Sequence, residues 1–202
     1  MRVLMFGWEF PPHIAGGLGT ACYGMTRGLA ENGVEVLFVM PSASGDEDQS
    51  SVRIINASDV AVDTMSETVD EFLGKVRFVH VGTNMVPYVS PEDFSSVVEE
   101  ERARQIKDFR ITYGQKYQFS GKYGTNLMEE VARYGMVGGT IALQHCDEFD
   151  VIHAHDWLTY LAGIAAKQLT GKPLVVHVHA TSFDRSSDDN IDTRVYDLEK
   201  RG

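Results

Sequence analysis

Short apolar runs alternate with amphipathic stretches along the chain. The first run, Arg2-Val3-Leu4-Met5-Phe6-Gly7, reads as a buried strand and breaks into a turn rich in proline and glycine. A helix follows from about Leu18 to Glu31, with Ala21, Met25, Gly28 and Leu29 on one face. It ends at Asn32-Gly33, a left-handed C-cap. The next run, Val34–Met40, is again a strand. A βαβ start of this kind predicts an α/β fold: a Rossmann-like, doubly wound, mainly parallel sheet with helices on both faces.

The pattern continues less regularly. Pro41–Ser51 is polar and acidic, as in an exposed loop, and strand-like runs recur at Ser51–Asn56 and Val76–Gly82. Ser90–Arg110 is charged and helix-like, with Ser90 as N-cap and Pro91 in the first turn. An aromatic and amide-rich segment around Tyr113–Phe119 precedes a longer helix. That helix starts near Asn126, with Glu129 in capping-box spacing, and runs toward His145, where Gly135 and Gly138-Gly139 mark either a kink or a close helix contact. Two further strands are expected, Asp150–His155 leading into a helix capped by Asp156, and Pro173–Thr181.

Charge and cysteine usage narrow the function classes. The 202 residues are 43% hydrophobic and 23% charged, with a net charge of −11. Such a surface disfavours nonspecific binding to nucleic acid or anionic membrane, so any phosphate contact must be local. Cys22 and Cys146 lie far apart without a metal-ligand spacing. No apolar run is long enough to span a bilayer and no signal segment precedes the first strand, so a cytoplasmic location is expected.

The turn after the first strand, Trp8-Glu9-Phe10-Pro11-Pro12-His13-Ile14-Ala15-Gly16-Gly17-Leu18, delivers a helix N-terminus to the mouth of the sheet. Bare N–H groups and the positive end of a helix dipole suit a phosphate there. The competing explanation is that Gly16 and Gly17 merely supply positive φ for a tight turn. Glu9 and His13 add titratable groups beside the glycines. The glycine spacing is out of register for a dinucleotide fingerprint, and the second strand ends in Pro41-Ser42 without a carboxylate for a ribose. No Gly-Lys-Ser/Thr follows, which argues more strongly still against a P-loop.

Four of the seven histidines sit near the ends of two strands, in Asp150-Val151-Ile152-His153-Ala154-His155-Asp156-Trp157 and Val175-Val176-His177-Val178-His179-Ala180-Thr181. Alternation puts His153 and His155 on one face, near the strand's carboxyl end, where open α/β sheets bind ligands. Two chemistries fit. Paired His-x-His strands can hold zinc or iron, with Asp156 or Asp184 completing a hydrolase site. Alternatively, neutral histidines contact a sugar while the glycine turn holds a phosphate. A noncatalytic carbohydrate-binding module built on the Tyr113–Tyr123 aromatics is a third possibility.

The Gly7-Trp8-Glu9-Phe10-Pro11-Pro12 opening with Gly16-Gly17-Leu18, the His153-Ala154-His155-Asp156-Trp157 run and the Val175–His179 strand resemble the N-terminal domain of retaining GT-B glycosyltransferases. Glycogen and starch synthases are the nearest group, and the resemblance covers nearly the whole chain. It implies one Rossmann-like domain over 1–202, with a probable insertion at 83–125, facing a second nucleotide-sugar-binding domain that is expected to follow. It implies transfer of glucose from ADP- or UDP-glucose to a glucan or other sugar acceptor, the nucleotide sugar being a substrate, with no cofactor, metal or nucleic-acid partner. Gly16, Gly17 and Leu18 would approach the donor diphosphate, and His155, or His153 in its place, would act beside the transferred sugar. Glu9, His13, Tyr117, Asp156, His179 and Thr181 would line the cleft or the acceptor side. One departure is Ile14, where bacterial glycogen synthases carry a lysine. Glu92 and Glu100 match the spacing of that family's paired glutamates, but they precede the histidine strands and read as a solvated helix face.

Overall fold

Val3, Leu4, Met5 and Phe6 are all buried, so strand β1 (Arg2–Phe6) is a central strand covered on both faces. The computed structural model describes residues 1–62, 116–124, 126–185 and 192–202. The expected strand at Val76–Gly82, the Ser90–Arg110 helix, the glutamates Glu92 and Glu100 and residues 83–115 and 125 of the expected 83–125 insertion lie outside them.

Among the described residues the elements run β1, α1 (Gly17–Glu31), β2 (Glu35–Met40), β3 (Arg53–Asn56), α2 (Leu127–Gln144), β4 (Val151–His155), α3 (Trp157–Thr170), β5 (Leu174–His177), α4 (Ser182–Arg185) and α5 (Thr193–Glu199). The strands form one parallel sheet in the order β3-β2-β1-β4-β5. The chain winds outward from β1 in one direction and then returns to β4 on its other side. The gap between β1 and β4 is therefore the topological switch point, the crevice where such sheets bind ligands. The Rossmann-like expectation holds.

Right-handed crossovers place α1 on one face of the sheet and α2 and α3 on the other. The packing agrees. A Cβ added at Gly138 of α2 would lie 2.7 Å from the Ala162 Cβ of α3 and 3.1 Å from the Phe6 ring. Gly135 is pressed as closely, with Leu161 at 2.9 Å. The glycines of α2 thus mark a close helix contact, and the helix runs unbroken through them. Tyr134 locks the pair onto the sheet: fully buried, it places its hydroxyl 2.8 Å from the Val39 carbonyl and 3.0 Å from that of Gly7. Trp8 and Phe6 meet its ring edge to face.

Three local expectations are corrected. The inward residues of α1 are Leu18, Gly19, Cys22 and Thr26, whereas Ala21 and Gly28 are only half-buried. Asn126 makes no side-chain cap; Glu129 pairs with Arg133. Glu130 reaches back instead to accept the N–H groups of Ser120 and Gly121 and the Ser120 hydroxyl, tying the preceding loop to α2. Finally, β5 ends at His177, so His179 lies beyond the strand. At the C-terminal end Asp192 caps α5 through the Arg194 N–H.

Candidate functional site

Glu9 organises the glycine turn. It is buried, and its carboxylate accepts the N–H groups of Ala15 at 2.7 Å, Gly16 at 3.2 Å and Gly19 at 3.1 Å. The anion-binding end of α1 is thus partly satisfied from inside the chain, by the type of group its dipole favours. Glu9 is a strut under the loop, where the sequence suggested a cleft-facing group. The N–H groups of Gly17 and Leu18 have no acceptor among the described residues.

The glycines here serve different ends. A Cβ at Gly19 would meet Ile14 at 2.5 Å and Glu9 at 2.9 Å, so Gly19 is demanded by packing. Gly16 is extended, at φ −155°, and neither it nor Gly17 has a positive φ. A Cβ at Gly17 would touch nothing within 4 Å. Turn geometry and packing therefore do not require glycine at 17. What it leaves is open access to the first N–H groups of α1.

The histidines form a second cluster at the same edge. Phe6 pairs with Ala154 in register, so Gly7 and His155 leave the sheet at the same level. Ala154 contacts Gly163 of α3, and Phe6 meets α2. Alternation therefore turns His153 and His155 to the opposite face, the one that carries α1. His155 pairs in register with His177, and the rings of His153, His155, His177 and His179 stack in one array. Centroids lie 4.2 Å apart for His153–His155, 5.0 Å for His155–His177 and 4.3 Å for His177–His179. His155 is fully buried, and its Nδ1 lies 2.9 Å from Nε2 of His179. Burial, with the neighbouring imidazoles adding to it, pushes His155 down to about 2 and His153 to about 4. Both rings are neutral at physiological pH, suited to donating or accepting one hydrogen bond each. Nε2 of each is buried with no partner among the described residues.

Asp156 joins β4 to the loop after β5. It occupies the N-cap position of α3 but forms no cap; its backbone stands at φ 58°, ψ 169°, a region almost reserved for glycine. Its carboxylate instead accepts the His179 N–H at 2.7 Å and an Arg185 N–H at 3.1 Å. The two loops meet. Cys22 under the glycine turn is raised to about 12 by burial and by the charges of Asp156 and Glu9. Tyr123 is raised to about 12 by burial, then by the same two carboxylates.

The other sequence candidates have partners of their own. His13 is exposed and bonded to Asp46 at 2.7 Å. Tyr117 packs beneath the Arg133 guanidinium on α2, 5.4 Å from its centroid. Thr181 donates both its N–H and its hydroxyl to Asp184 at 2.7 Å. With Asp184 held there and Asp156 held by His179 and Arg185, neither carboxylate completes the hydrolase site considered from sequence. Arg185 and half-exposed Tyr123 are the residues that sequence reasoning missed. Only the aromatic richness of the Tyr113–Tyr123 segment hinted at the second.

Comparison with known proteins places the chain in a family. The chain is 26% identical over 187 residues to glycogen synthase of Mycobacterium tuberculosis, covering 93% of this chain and 35% of that protein. It is 25% identical over 186 residues to an uncharacterized glycosyltransferase of Methanocaldococcus jannaschii, covering 92% of this chain and 32% of the relative. The chain thus spans about a third of the length of these relatives. Among solved structures, sucrose-phosphate synthase from Thermosynechococcus elongatus matches in fold with a TM-score of 0.53 at 12% identity, over 99% of this chain and 39% of that one. The family of the starch synthase catalytic domain matches residues 2–200. The resemblance read from the glycine turn and the histidine strands is therefore borne out: the chain belongs to the starch synthase catalytic domain family, as an N-terminal GT-B domain.

Proposed function

We propose that this domain is the acceptor-side half of a retaining glycosyltransferase that moves glucose from ADP-glucose or UDP-glucose to a glucan or another sugar acceptor. The observation that carries the reading is that the Gly17 and Leu18 N–H groups, which have no acceptor among the described residues, follow β1, while the unpartnered Nε2 of buried His155 ends its neighbour β4, the two strands that flank the switch point. The first suits a diphosphate and the second a sugar hydroxyl.

In this reading the Gly17 and Leu18 N–H groups and the α1 dipole stabilise charge as it builds on the departing diphosphate. Glu9 holds the loop in shape for that task but adds negative charge beside it. Arg185 is paired with Asp156, and His153 and His155 are neutral. The cations that offset a nucleoside diphosphate come, in this reading, from a second domain across the cleft, and the 1–202 domain alone transfers no sugar. His155 orients the donor sugar through Nε2, with His179 fixing the ring through Nδ1. A cytoplasmic location fits such substrates, and no helix among the described residues is long and apolar enough to cross a membrane.

The test is a transfer assay with the intact enzyme that contains this domain, using ADP-glucose and UDP-glucose as donors and short maltooligosaccharides as acceptors. Transfer with retained anomeric configuration is expected from one donor. Activity by the 1–202 chain alone would contradict the division of labour.

A further inference from the structure

We propose that His153, His155 and His177 form a binding site for one transition-metal ion of the zinc, cobalt or nickel class. One ring nitrogen from each lies within 4.8 Å of the others. The His-x-His pair on β4 and its in-register neighbour on β5 put three imidazoles on one sheet face, with the His153–His177 centroids 5.6 Å apart.

Three observations point to an ion rather than to ordinary packing. Nε2 of His153 and Nε2 of fully buried His155 have no hydrogen-bond partner among the described residues, an arrangement that costs stability unless something binds them. The opposite nitrogen of His155 already faces His179 at 2.9 Å, the outer partner that a metal-bound imidazole normally keeps. All the donors are imidazoles, which favour borderline transition metals over magnesium or calcium. A tetrahedral ion with bonds of about 2.0–2.1 Å sets its nitrogens about 3.4 Å apart, so the three rings, stacked here, turn toward one another to close the site and leave one position open to water.

The ion and a sugar hydroxyl would compete for Nε2 of His155; that consequence, unlike the site itself, rests on the transfer role proposed for His155.

The test is calorimetric titration of zinc chloride into the chelator-stripped chain, with no nucleotide sugar present, and visible absorption of the cobalt-loaded chain. Binding of one ion is expected, with the intense visible bands of tetrahedral cobalt. His153→Gln and His177→Gln should each weaken binding at least about tenfold, whereas His13→Gln and His145→Gln leave it unchanged. Absence of stoichiometric binding, an octahedral cobalt spectrum, or equal affinity in the His153 and His177 variants would overturn the site. The cobalt spectrum of the unaltered chain decides even where a variant fails to fold. Because no donor is present, a failed metal site is distinguishable from failed sugar transfer.

Discussion

The carboxylate of Asp156 holds the backbone N–H of His179 at 2.7 Å, while the Asp156 backbone itself stands at φ 58°, ψ 169°. A residue with a side chain is kept in a glycine conformation so that its carboxylate can tie the end of β4 to the loop that brings His179 onto His155. Strain and site are one feature here, in keeping with backbone outliers clustering where a constellation must be held.

Substitution at Asp156 separates the two parts. Asp156→Gly and Asp156→Ala both remove the carboxylate, but only glycine relieves the backbone. The glycine variant should be more stable than the alanine variant by about 1–3 kcal/mol. Urea midpoints of the two proteins measure the difference; equal midpoints would show that the position is unstrained.

The glycine turn gives a paired prediction. Gly19→Ala drives a methyl into Ile14 and Glu9 and should destabilise the fold by about 1–3 kcal/mol. Gly17→Ala meets nothing and should leave thermal stability within about 0.5 kcal/mol, while lowering the turnover of the intact enzyme by crowding the diphosphate. Unchanged turnover in Gly17→Ala would remove the N–H groups of Gly17 and Leu18 from donor binding.

Acid stability follows from the histidine array. His153 at about 4 and His155 at about 2 lie below the ~6.5 of a free imidazole. Between about pH 6.5 and about pH 4 the unfolded chain binds protons that the folded chain refuses, so stability falls as pH falls. The loss is about 1 kcal/mol per pH unit for each histidine held neutral; above pH 7 the contribution is complete. Denaturant midpoints from about pH 7.5 to about pH 4.5 test this, and His155→Gln should flatten the curve. A pH-independent midpoint for the unaltered chain would mean that the histidines titrate normally.

The architecture was largely legible in the sequence because it rests on local periodicity. The apolar runs at Arg2–Gly7 and Val34–Met40 are β1 and β2 to within a residue or two, and Asn32-Gly33 ends α1 as predicted. Alternation placed His153 and His155 on one face. What escaped depends on contacts distant in sequence or on competition for one group. Nothing local says that the Glu9 carboxylate turns back onto Ala15, Gly16 and Gly19, or that Asp156 abandons the cap of α3 for His179 and Arg185. The run 173–181 has strand periodicity throughout, yet pairing with β4 stops at His177, because the next residues are drawn to Asp156. His13 and Tyr117 stand out in the sequence for their chemistry, and each is satisfied by a neighbour, Asp46 and Arg133.

The transfer role proposed for His155 rests on its burial at the β1/β4 switch point with Nε2 unpartnered among the described residues. Its most direct test is turnover of the intact enzyme carrying His155→Ala, measured as glucose transfer to maltooligosaccharide, with circular dichroism to verify folding. A fall of at least about a hundredfold in kcat is expected, with the fold preserved. Turnover near that of the unaltered enzyme, in a folded variant, would contradict it.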